Sequence, residues 1–488
     1  MKSKLLFALA ASFAALGCAT SGIVGSGEQR AIAPQVAEQA ARQHPQIVQE
    51  FGGEVGGGVS NYVAEVGRRI GAESGLRGGG TGVYAFTALN SPVANAFAVP
   101  GGRVYVTRQL LALMNSEAEL AFVLGHEAGH IAADHSAGRQ NRSLWAQLGA
   151  LVLGAVTGSG ELAQLAGGLG QQVILSYSRG QEFDADRLGI RYMAAAGYDP
   201  LAAAGILATL GAYGDMQARF SGREDDQRAT PSWGRTHPLS SDRVERALAE
   251  ARSAPAAGQR DAGRDRFLAA IDGMIYDDDP AQGVVEGRDF RHPDLRVAFT
   301  APEGYGIQNG TRAVGVIGTD GQAQFSTAPY AGDLDAFVGR VFQALGGQGR
   351  IAHSRPQRTT INGLPAAVST ARVQTQGGVL DVAVVAYEFS QSQGFYFLTV
   401  ARAGAGLGPF AGMVQSVRRL SAQEAAAIRP RVIDVVTAGP GDSVRSLAAR
   451  MAYATYQEDR FRVLNGLAAG DSVRPGQRVK LVVWGRRG

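Results

Sequence analysis

One short run of residues carries the strongest chemical signal in this sequence. His126, Glu127 and His130 form a His-Glu-x-x-His pattern. Because an α-helix completes a turn in 3.6 residues, the two histidines project from one helix face and can share a metal ion. The chain has 7 histidines in 488 residues, so chance produces this pattern in fewer than about one in a hundred such sequences. The pattern therefore predicts a metal centre with a carboxylate beside it.

A metal ion that takes part in chemistry needs a third protein ligand and an open coordination position. Glu182 is the candidate for the third ligand. It begins the run Glu182-Phe183-Asp184-Ala185-Asp186, which leads into a helical pattern that stops near Gly197. A carboxylate on a second, antiparallel helix suits a site that faces the two histidines. Asp184 is the alternative ligand, and we expect one metal ion per chain.

Two residues near the candidate ligands are expected to support them. Asp186, one helical turn after Glu182, could accept a hydrogen bond from a ligating histidine and so fix its tautomer. The alternative for Asp186 is a surface salt bridge with Arg187 or Arg191. His135 lies off the face that the two histidines share, so we interpret it as structural or as a hydrogen-bond partner of a ligand.

His237 is a further candidate from a different part of the chain. The following Pro238 favours an extended backbone, which suits a loop residue that leans into a site. The imidazole could donate a hydrogen bond to an oxyanion that forms at the metal, or it could occupy the open metal position and keep the protein inactive. These roles oppose each other, and we favour a mixture in which the resting protein is latent. Arg243 is a companion candidate, with a surface position as its alternative.

The elements that must position these residues are mostly helices. Apolar residues recur at three- and four-residue spacing through residues 28–250, and Ser116 to Glu119 has the form of a capping box. Three β-like segments interrupt the helices, at Val83–Phe86, Asn95–Val99 and Arg103–Val106. We expect residues 31–252 to form a mainly α domain with a small β-sheet.

The middle β-like segment is a candidate for binding an extended substrate. If it lies at a sheet edge, its free backbone groups can pair with an added strand. The alternative is an ordinary hairpin strand. The residues concerned are Asn95, Ala96, Phe97, Ala98 and Val99.

The N-terminus is expected to be an export signal. Lys2 and Lys4 precede the apolar run Leu5–Leu16, which is too short to span a bilayer but suits a signal peptide. We expect residues 1–17 to be removed during export.

The end of this run resembles a bacterial lipobox. It reads Ala15-Leu16-Gly17-Cys18, and Cys18 is the sole cysteine of the chain, so no intrachain disulfide can form. We expect Cys18 to be lipidated and residues 18–30 to form a tether. By the sorting rule of such lipoproteins, Ala19 favours the outer membrane, so the protein would lie in the periplasm. The alternative is an ordinary signal peptide with a chance cysteine.

Composition and charge exclude several classes of protein. With 45% hydrophobic and 18% charged residues, the chain is neither a polytopic membrane protein nor mostly disordered. The formal net charge of +4, part of which lies in the leader, gives nucleic-acid binding no support. Glycines and polar residues break the apolar stretch Leu144–Leu169, so we expect packed helices or a flap there rather than a membrane segment.

The C-terminal half of the chain predicts further units. Residues 253–287 are expected to be a linker and a helix. From 288 to 420 the pattern changes to alternating β runs with one helix, Asp333–Leu345, which indicates a separate α+β domain. Residues 432–484 form a third unit, so the expected fold class is multidomain.

The sequence resembles the HtpX/BepA-like family of gluzincin metallopeptidases over about residues 35–250. Four motifs in the family's order carry this resemblance: Asn95 to Gly102, Glu119 to His130, Ser178 to Asp186, and Thr236 to Pro238. The resemblance implies a zincin-type metalloprotease domain and favours substrate binding by the middle β-like segment. It implies zinc as the metal, held by His126, His130 and Glu182.

The resemblance also implies peptide-bond hydrolysis. Zinc would activate a water molecule and polarise the scissile carbonyl, while Glu127 accepts the proton of the water and passes it to the leaving amine. We expect a zinc endopeptidase of the periplasmic, BepA-like branch that degrades misfolded or stalled envelope proteins, with outer-membrane assembly machinery as a further candidate partner. The rivals are a metal-dependent peptidoglycan hydrolase and a latent protease that acts as a chaperone or scaffold.

The third unit resembles a LysM module, a βααβ fold that binds peptidoglycan-type glycans. Asn465-Gly466-Leu467 and Pro475-Gly476-Gln477 are the landmarks that carry this resemblance. It implies peptidoglycan as a partner, with a degenerate packing module as the alternative. Residues 288–420 bear a weaker likeness to PsbP-like α+β domains, and their function is not predicted.

Overall fold

The computed structural model describes most of the chain from Ile23 onward. The described residues are 23–24, 30–78, 82–135, 177–221, 233–234, 237–238, 241–254, 262–346, 351–375 and 378–486. Among them, no helix is both long and apolar enough to cross a lipid bilayer. The expectations for the leader, for Cys18 and for Leu144–Leu169 concern residues outside this description.

The N-terminal part combines two helices with a small sheet. Its elements are β1 (Ile23–Val24), β2 (Ala31–Ile32), α1 (Pro34–Glu50), α2 (Gly58–Ala72), β3 (Ala85–Leu89), β4 (Ala96–Val99) and β5 (Arg103–Thr107). Strand β5 is central, parallel to β3 and antiparallel to β4. All three predicted strands are present, although the first begins at Ala85 rather than Val83. Gly101 and Gly102, with φ of 104° and 89°, form the turn between β4 and β5 in a conformation that favours glycine.

Helices form the rest of the N-terminal part. They are α3 (Arg108–Leu113), α4 (Glu117–Ala132), α5 (Arg179–Ala195), α6 (Ala202–Ser221), α7 (Ser241–Ser253) and α8 (Arg264–Ile271). The Ser116 hydroxyl caps α4 by accepting the Glu119 N–H at 3.2 Å. The predicted capping box is half right, because the Glu119 carboxylate accepts the N–H of Asn115 at 2.6 Å instead of that of Ser116.

A sheet-rich region follows the N-terminal part. Its elements are β7 (Val284–Glu286), β8 (Asp289–His292), β9 (Val297–Thr300), β10 (Gly306–Asn309), β11 (Ala313–Gly318), β12 (Gly321–Pro329), α9 (Leu334–Gly346), β13 (Gln357–Ile361), β14 (Leu364–Thr375), β15 (Gly378–Ser390), β16 (Gln393–Arg402), α10 (Ala411–Ser416), β17 (Arg418–Arg419) and α11 (Ala422–Ala427). The large antiparallel sheet has the strand order β10-β11-β12-β16-β15-β14-β13. Helix α9 covers one of its faces. Phe299, Phe325 and Phe397 pack between the other face and a smaller sheet of order β17-β9-β8-β7, so the predicted α+β architecture is present.

The C-terminal residues have the predicted βααβ order. The elements are β18 (Arg431–Thr437), α12 (Val444–Ala448), α13 (Gln457–Leu464) and β19 (Arg478–Trp484). Strand β18 also pairs with β6 (Ile275–Tyr276), which precedes the sheet-rich region in the chain. Val479 and Leu481 belong to the same hydrophobic core as Leu110 of α3. The unit that the sequence predicts as separate therefore shares a core with the N-terminal helices.

Candidate metal centre

Four side chains from three parts of the chain converge in the N-terminal part. One ligand atom from each of His126, His130, Glu182 and His237 lies within 4.8 Å of the others. The Nε2 atoms of the two α4 histidines are 3.1 Å apart. Glu182 Oε1 is 3.4 Å from Nε2 of His130, and Oε2 is 3.6 Å from Nε2 of His126. The structure thus brings together His126, His130 and Glu182, the three metal ligands expected from the sequence.

Glycines allow the two ligand-bearing helices to approach closely. Gly125 of α4 and Gly189 of α5 face each other at the crossing. A Cβ atom added to Gly189 would lie 2.9 Å from the backbone nitrogen of His126, and one added to Gly125 would lie 3.2 Å from Cα of Gly189. Because a larger residue would separate the helices, this contact sets the distance between the histidines and Glu182.

Asp186 and Arg243 form a buried support behind His126. The Nδ1–H of His126 donates to Oδ1 of Asp186 at 2.8 Å. Arg243 donates to both carboxylate oxygens of Asp186, at 2.7 and 2.9 Å, and its Nη1 lies 2.7 Å from Oε2 of Glu182. Burial alone would raise the pKa of Asp186, but the hydrogen bonds and charges of His126 and Arg243 hold it below its usual value.

The surface alternatives for these two residues do not hold. Arg243 and Asp186 are both buried, so neither belongs to a surface salt bridge. Asp184 instead pairs with Arg187 on the outside of α5 and lies outside the converging group.

His135 contacts the second metal-binding histidine. Its Nδ1 lies 2.8 Å from Nδ1 of His130, and its Nε2 lies 3.5 Å from Oδ2 of Asp184. A hydrogen bond to the far nitrogen of His130 orients its ring so that Nε2 faces Glu182. Of the two alternatives that the sequence left open for His135, a structural residue or a hydrogen-bond partner of a ligand, this position matches the second.

His237 lies between the third ligand and Glu127. Its Nδ1 is 3.0 Å from Oε1 of Glu182, and its Nε2 is 3.4 Å from Oε1 of Glu127. Burial lowers the pKa of the imidazole, but the charges of these two carboxylates outweigh burial and raise it. Both roles predicted for His237 require a position of this kind.

The environment of the Glu127 carboxylate suits a group that accepts a proton. Its side chain is 0% exposed, and neither of its oxygens has a hydrogen-bond partner of ordinary geometry in the part of the chain that the structure describes. Burial raises the pKa of Glu127, although His237 and His126 act in the opposite direction. A buried carboxylate without hydrogen bonds is costly unless another group, such as a metal or a reacting water, completes the site.

The donor set fits zinc. Imidazole nitrogens and a carboxylate are ordinary zinc ligands. Burial lowers the pKa of His130 well below its ordinary value, which favours the neutral imidazole that a metal requires. His126, His130 and Glu182 would hold the ion, and His237 is the fourth donor within reach.

The predicted substrate strand lies at the edge of the small sheet, close to Glu127. Strand β4 begins at Ala96, and Asn95 directs its backbone N–H and C=O to Thr107 at 3.0 and 2.9 Å. Along an antiparallel strand, the backbone N–H and C=O groups of successive residues point alternately toward and away from the partner strand. Those of Ala96 and Ala98 therefore point away from β5. The backbone amide of Ala98 also lowers the pKa of Glu127. Asn95 therefore fixes the strand, while the backbone groups of Ala96 and Ala98 face away from β5.

Sequence reasoning missed two aromatic residues at this centre. The Tyr177 ring stacks on His130 with centroids 3.6 Å apart, and the Trp233 ring stacks on His237 at 4.9 Å. Tyr177 directly precedes the motif that begins at Ser178, and Trp233 lies three residues before the motif that begins at Thr236. An aromatic residue beside a ligand motif was the available signal, but spacing alone does not say which way its ring turns.

Comparisons with known proteins agree with this geometry. Residues 59–251 match the model of Peptidase family M48. The mitochondrial metalloendopeptidase OMA1 of Arabidopsis thaliana is 37% identical over 127 residues, which are 26% of this chain and 25% of that protein. The beta-barrel assembly-enhancing proteases of Yersinia pestis and Escherichia coli K12 are 32% and 33% identical over 170 and 179 residues. These matches cover 33% and 35% of this chain and 33% and 34% of those proteins.

The chain thus spans between a quarter and about a third of the length of these relatives. A crystal structure from Bacteroides thetaiotaomicron is 9% identical and covers 42% of this chain and 88% of that one, but its TM-score of 0.25 supports no statement about fold. The predicted resemblance to the HtpX/BepA-like metallopeptidases is confirmed by the family match and by the relatives. Residues 59–251 of this chain match Peptidase family M48 and are similar in sequence to the beta-barrel assembly-enhancing proteases, which supports a zinc metallopeptidase.

Proposed function

We propose that this chain is a zinc-dependent endopeptidase of the bacterial periplasm, lipid-anchored to the outer membrane, that degrades misfolded or stalled envelope proteins. The observation that carries the catalytic part is the convergence of His126, His130 and Glu182 beside the unbonded carboxylate of Glu127. The names of the bacterial relatives refer to β-barrel assembly, which supports envelope proteins as substrates. The lipobox-like end of the leader supports the anchor.

The residues of the site have distinct tasks in this reaction. A bound zinc ion would act as a Lewis acid that polarises the scissile carbonyl. Glu127 takes a proton from the attacking water and gives it to the leaving amine nitrogen, so the C–N bond breaks as one water is consumed. Because burial raises the pKa of Glu127, this carboxyl can hold the proton between the two steps.

We further propose that His237 keeps the resting protein latent. A catalytic zinc site has three protein ligands and an open position, whereas His237 places a fourth donor atom among the ligand atoms. All four side chains are buried. Activation then requires the segment that carries His237 to move, after which an extended substrate can pair with β4 through Ala96 and Ala98.

Two assays distinguish this function from its rivals. The protein, loaded with zinc, should cleave casein and leave purified sacculi intact, and Glu127→Gln should abolish the cleavage. Release of soluble fragments from sacculi would indicate a peptidoglycan hydrolase. Folded, zinc-loaded protein and a His237→Ala variant that both fail to cleave casein, while suppressing aggregation of an unfolded protein, would indicate a chaperone or scaffold.

The location and the partners need separate experiments. Cys18→Ser should abolish lipidation and release the protein from membranes, so pelleting equal to that of the wild type would exclude the anchor. Envelope proteins that co-purify with the Glu127→Gln variant, but not with a Glu127→Gln/Glu182→Ala variant, are the expected substrates or assembly partners. Binding of the full chain to sacculi tests peptidoglycan as a partner of the C-terminal unit.

A further inference from the structure

The distribution of lysine in this chain is unusual. Lys2 and Lys4 lie in the leader, and Lys480 is the one other lysine of the sequence. Every other basic side chain downstream of the leader, apart from histidine, is therefore an arginine. Lys480 lies on β19 and is 0% exposed, although lysine is almost never fully buried unless it is paired.

Lys480 reaches from the C-terminal unit into the N-terminal part. Its Nζ donates to the carbonyl oxygen of Ala112 at 2.6 Å and to that of Met114. These carbonyls belong to the end of α3, where the last turn of a helix leaves acceptors without intrahelical donors. The side chain of Lys480 thus caps the helix that directly precedes the metal-binding helix α4.

The same lysine interacts electrostatically with a carboxylate of α4, that of Glu119. Burial lowers the pKa of the Lys480 ammonium well below its ordinary value, and the charge of Glu119 opposes this effect. Burial in turn raises the pKa of Glu119 to about 7, while the Asn115 N–H and Lys480 lower it. Seven residues separate Glu119 from His126, which is close to two helical turns, so both lie on one side of α4.

Arg264 completes the connection around the turn from α3 to α4. Its Nη1 donates to the carbonyl of Asn115 at 2.9 Å, and its Nη2 donates to the carbonyl of Arg478 on β19 at 3.0 Å. Asn465 of the C-terminal unit holds Lys480 through its backbone, accepting the N–H at 2.8 Å and donating to the C=O at 2.9 Å. The turn that leads into the metal-binding helix is therefore held by hydrogen bonds from Lys480 of β19 and from Arg264 of α8.

Lysine suits this position better than arginine. Two neighbouring carbonyls suit a compact group that carries its N–H donors on one atom, whereas the planar guanidinium of arginine is larger and directs five donors in a fixed fork. The carbonyls of Ala112 and Met114 accept from this buried amine as long as the C-terminal unit stays docked. If the unit separated, the two carbonyls would lose this donor and Glu119 would lose a nearby positive charge.

We propose that Lys480 is a positioning residue for the metal-binding helix α4. The C-terminal βααβ unit would then contribute to the geometry of the metal site. This inference rests on the proposed peptidase function for its kinetic test. Its other readouts, amine reactivity and zinc retention, do not depend on that activity. Nothing in this assignment requires the C-terminal unit to bind a glycan.

Chemical labelling tests the docked position of Lys480. The folded, full-length protein is treated with an amine-reactive reagent and then mapped by peptide mass spectrometry. Lys480 should remain unmodified in the native protein and become modified in denaturant. Rapid modification of Lys480 in the native protein would overturn the proposal, because it would show that the C-terminal unit is not held against α3 and α4.

Substitution tests the effect on the site. Lys480→Met keeps the length of the side chain and removes its donors, while Arg445→Met removes one charge from the surface of the same unit, where the Arg445 side chain is 87% exposed. At a temperature where both variants are fully folded, Lys480→Met should lower kcat per bound zinc by between about 10-fold and 100-fold, as misplaced catalytic groups do. KM should change little, and Arg445→Met should match the wild type.

A second substitution separates positioning from general stability. Lys480→Met leaves the Glu119 carboxylate without its charged neighbour, so adding Glu119→Gln should restore part of kcat and of zinc retention against a chelator. The proposal is overturned if Lys480→Met lowers the melting temperature but keeps the kcat and zinc retention of Arg445→Met. It is also overturned if Glu119→Gln restores nothing. If neither the wild type nor any variant cleaves peptides, the proposed peptidase function is wrong. The comparison of zinc retention between Lys480→Met and Arg445→Met still tests the role of Lys480.

Discussion

His237 Nε2 lies 3.4 Å from Oε1 of Glu127. The other nitrogen of the same ring is 3.0 Å from Glu182, so one imidazole stands between the expected proton acceptor and the third metal ligand. Trp233 stacks on the outer side of the ring. A water molecule that attacks a peptide must come within hydrogen-bond reach of Glu127, and the imidazole lies at that carboxylate. In the proposed reaction, the His237 ring would therefore compete with the attacking water for the place next to Glu127.

Removing this ring is the most direct test of latency. We expect His237→Ala to raise the turnover of a short peptide and to keep stoichiometric zinc, because His126, His130 and Glu182 remain. Zinc content and turnover are measured beside the wild type. If His237 instead stabilises an oxyanion, turnover should fall by about 10²-fold. Unchanged turnover and unchanged zinc would exclude both roles.

Glu127→Gln should separate metal binding from catalysis. Glutamine has almost the same shape but cannot take a proton from water, so turnover should fall by between about 10²-fold and 10⁴-fold while zinc content stays unchanged. Metal analysis and a casein assay check the two parts. Cleavage of casein at the wild-type rate by this variant would refute the role of Glu127.

Much of the metal site was predictable because its information is local. The spacing of His126 and His130 fixes their common helix face wherever the helix packs. Glu182 and Asp186 follow from the same periodicity on a second helix. The three strands of the small sheet were also readable from pattern, since alternation and turn residues determine them locally. The βααβ order of the last unit came instead from its resemblance to a LysM module.

The rest depends on contacts between distant residues. The glutamate of the expected capping box bonds to Asn115 rather than Ser116, in a turn that Lys480 and Arg264 also contact through its carbonyls. Nothing in the local pattern of β19 indicates that Lys480 points into the core of another part of the chain. Similarly, spacing places Tyr177 near a ligand but does not show that its ring stacks on His130. Tertiary packing, rather than propensity, decides these features.

The third ligand is tested by comparing two carboxylates of one helix. Glu182→Ala should lower bound zinc, because its oxygens are 3.4 and 3.6 Å from the metal-facing nitrogens of the histidines. Asp184→Ala is the matched control, since Asp184 is partly exposed and pairs with Arg187 on the surface. Metal analysis of purified protein provides the measurement. Stoichiometric zinc in Glu182→Ala together with zinc loss in Asp184→Ala would reverse the assignment.

The helix crossing offers a test of how closely α4 and α5 must approach. A Cβ at Gly189 would lie 2.9 Å from the backbone nitrogen of His126, so Gly189→Ala should force the helices apart and destabilise the protein by about 1–3 kcal/mol. Zinc affinity should fall with it. Gly211→Ala on α6 is the control, because a Cβ there meets no atom within 4 Å and alanine favours a helix by about 0.5–1 kcal/mol. Equal melting temperatures for the two variants would contradict the crossing as described.

Asp186 tests whether the support behind His126 tunes the metal. Asp186→Asn keeps an oxygen that can accept from Nδ1 of His126, but it removes the charge that faces Arg243. Zinc affinity should therefore fall by between about 10-fold and 100-fold, as loss of an outer hydrogen-bond partner typically causes. Competition with a chelator of known affinity measures the change. Asp184→Asn on the same helix should change zinc affinity less, because Asp184 reaches a ligand only through its 3.5 Å contact with His135.

The same residue also predicts a pH dependence of stability. The pKa of Asp186 in the folded protein lies below its ordinary value, so folding favours the charged carboxylate. Its contribution to stability is then fully present above the unfolded pKa and is lost as pH falls through the lower, folded pKa. In the metal-free protein, the difference in free energy of unfolding between wild type and Asp186→Asn should be constant near neutral pH and shrink under acid conditions. A difference that grows as pH falls would mean that Asp186 is not held ionised by His126 and Arg243.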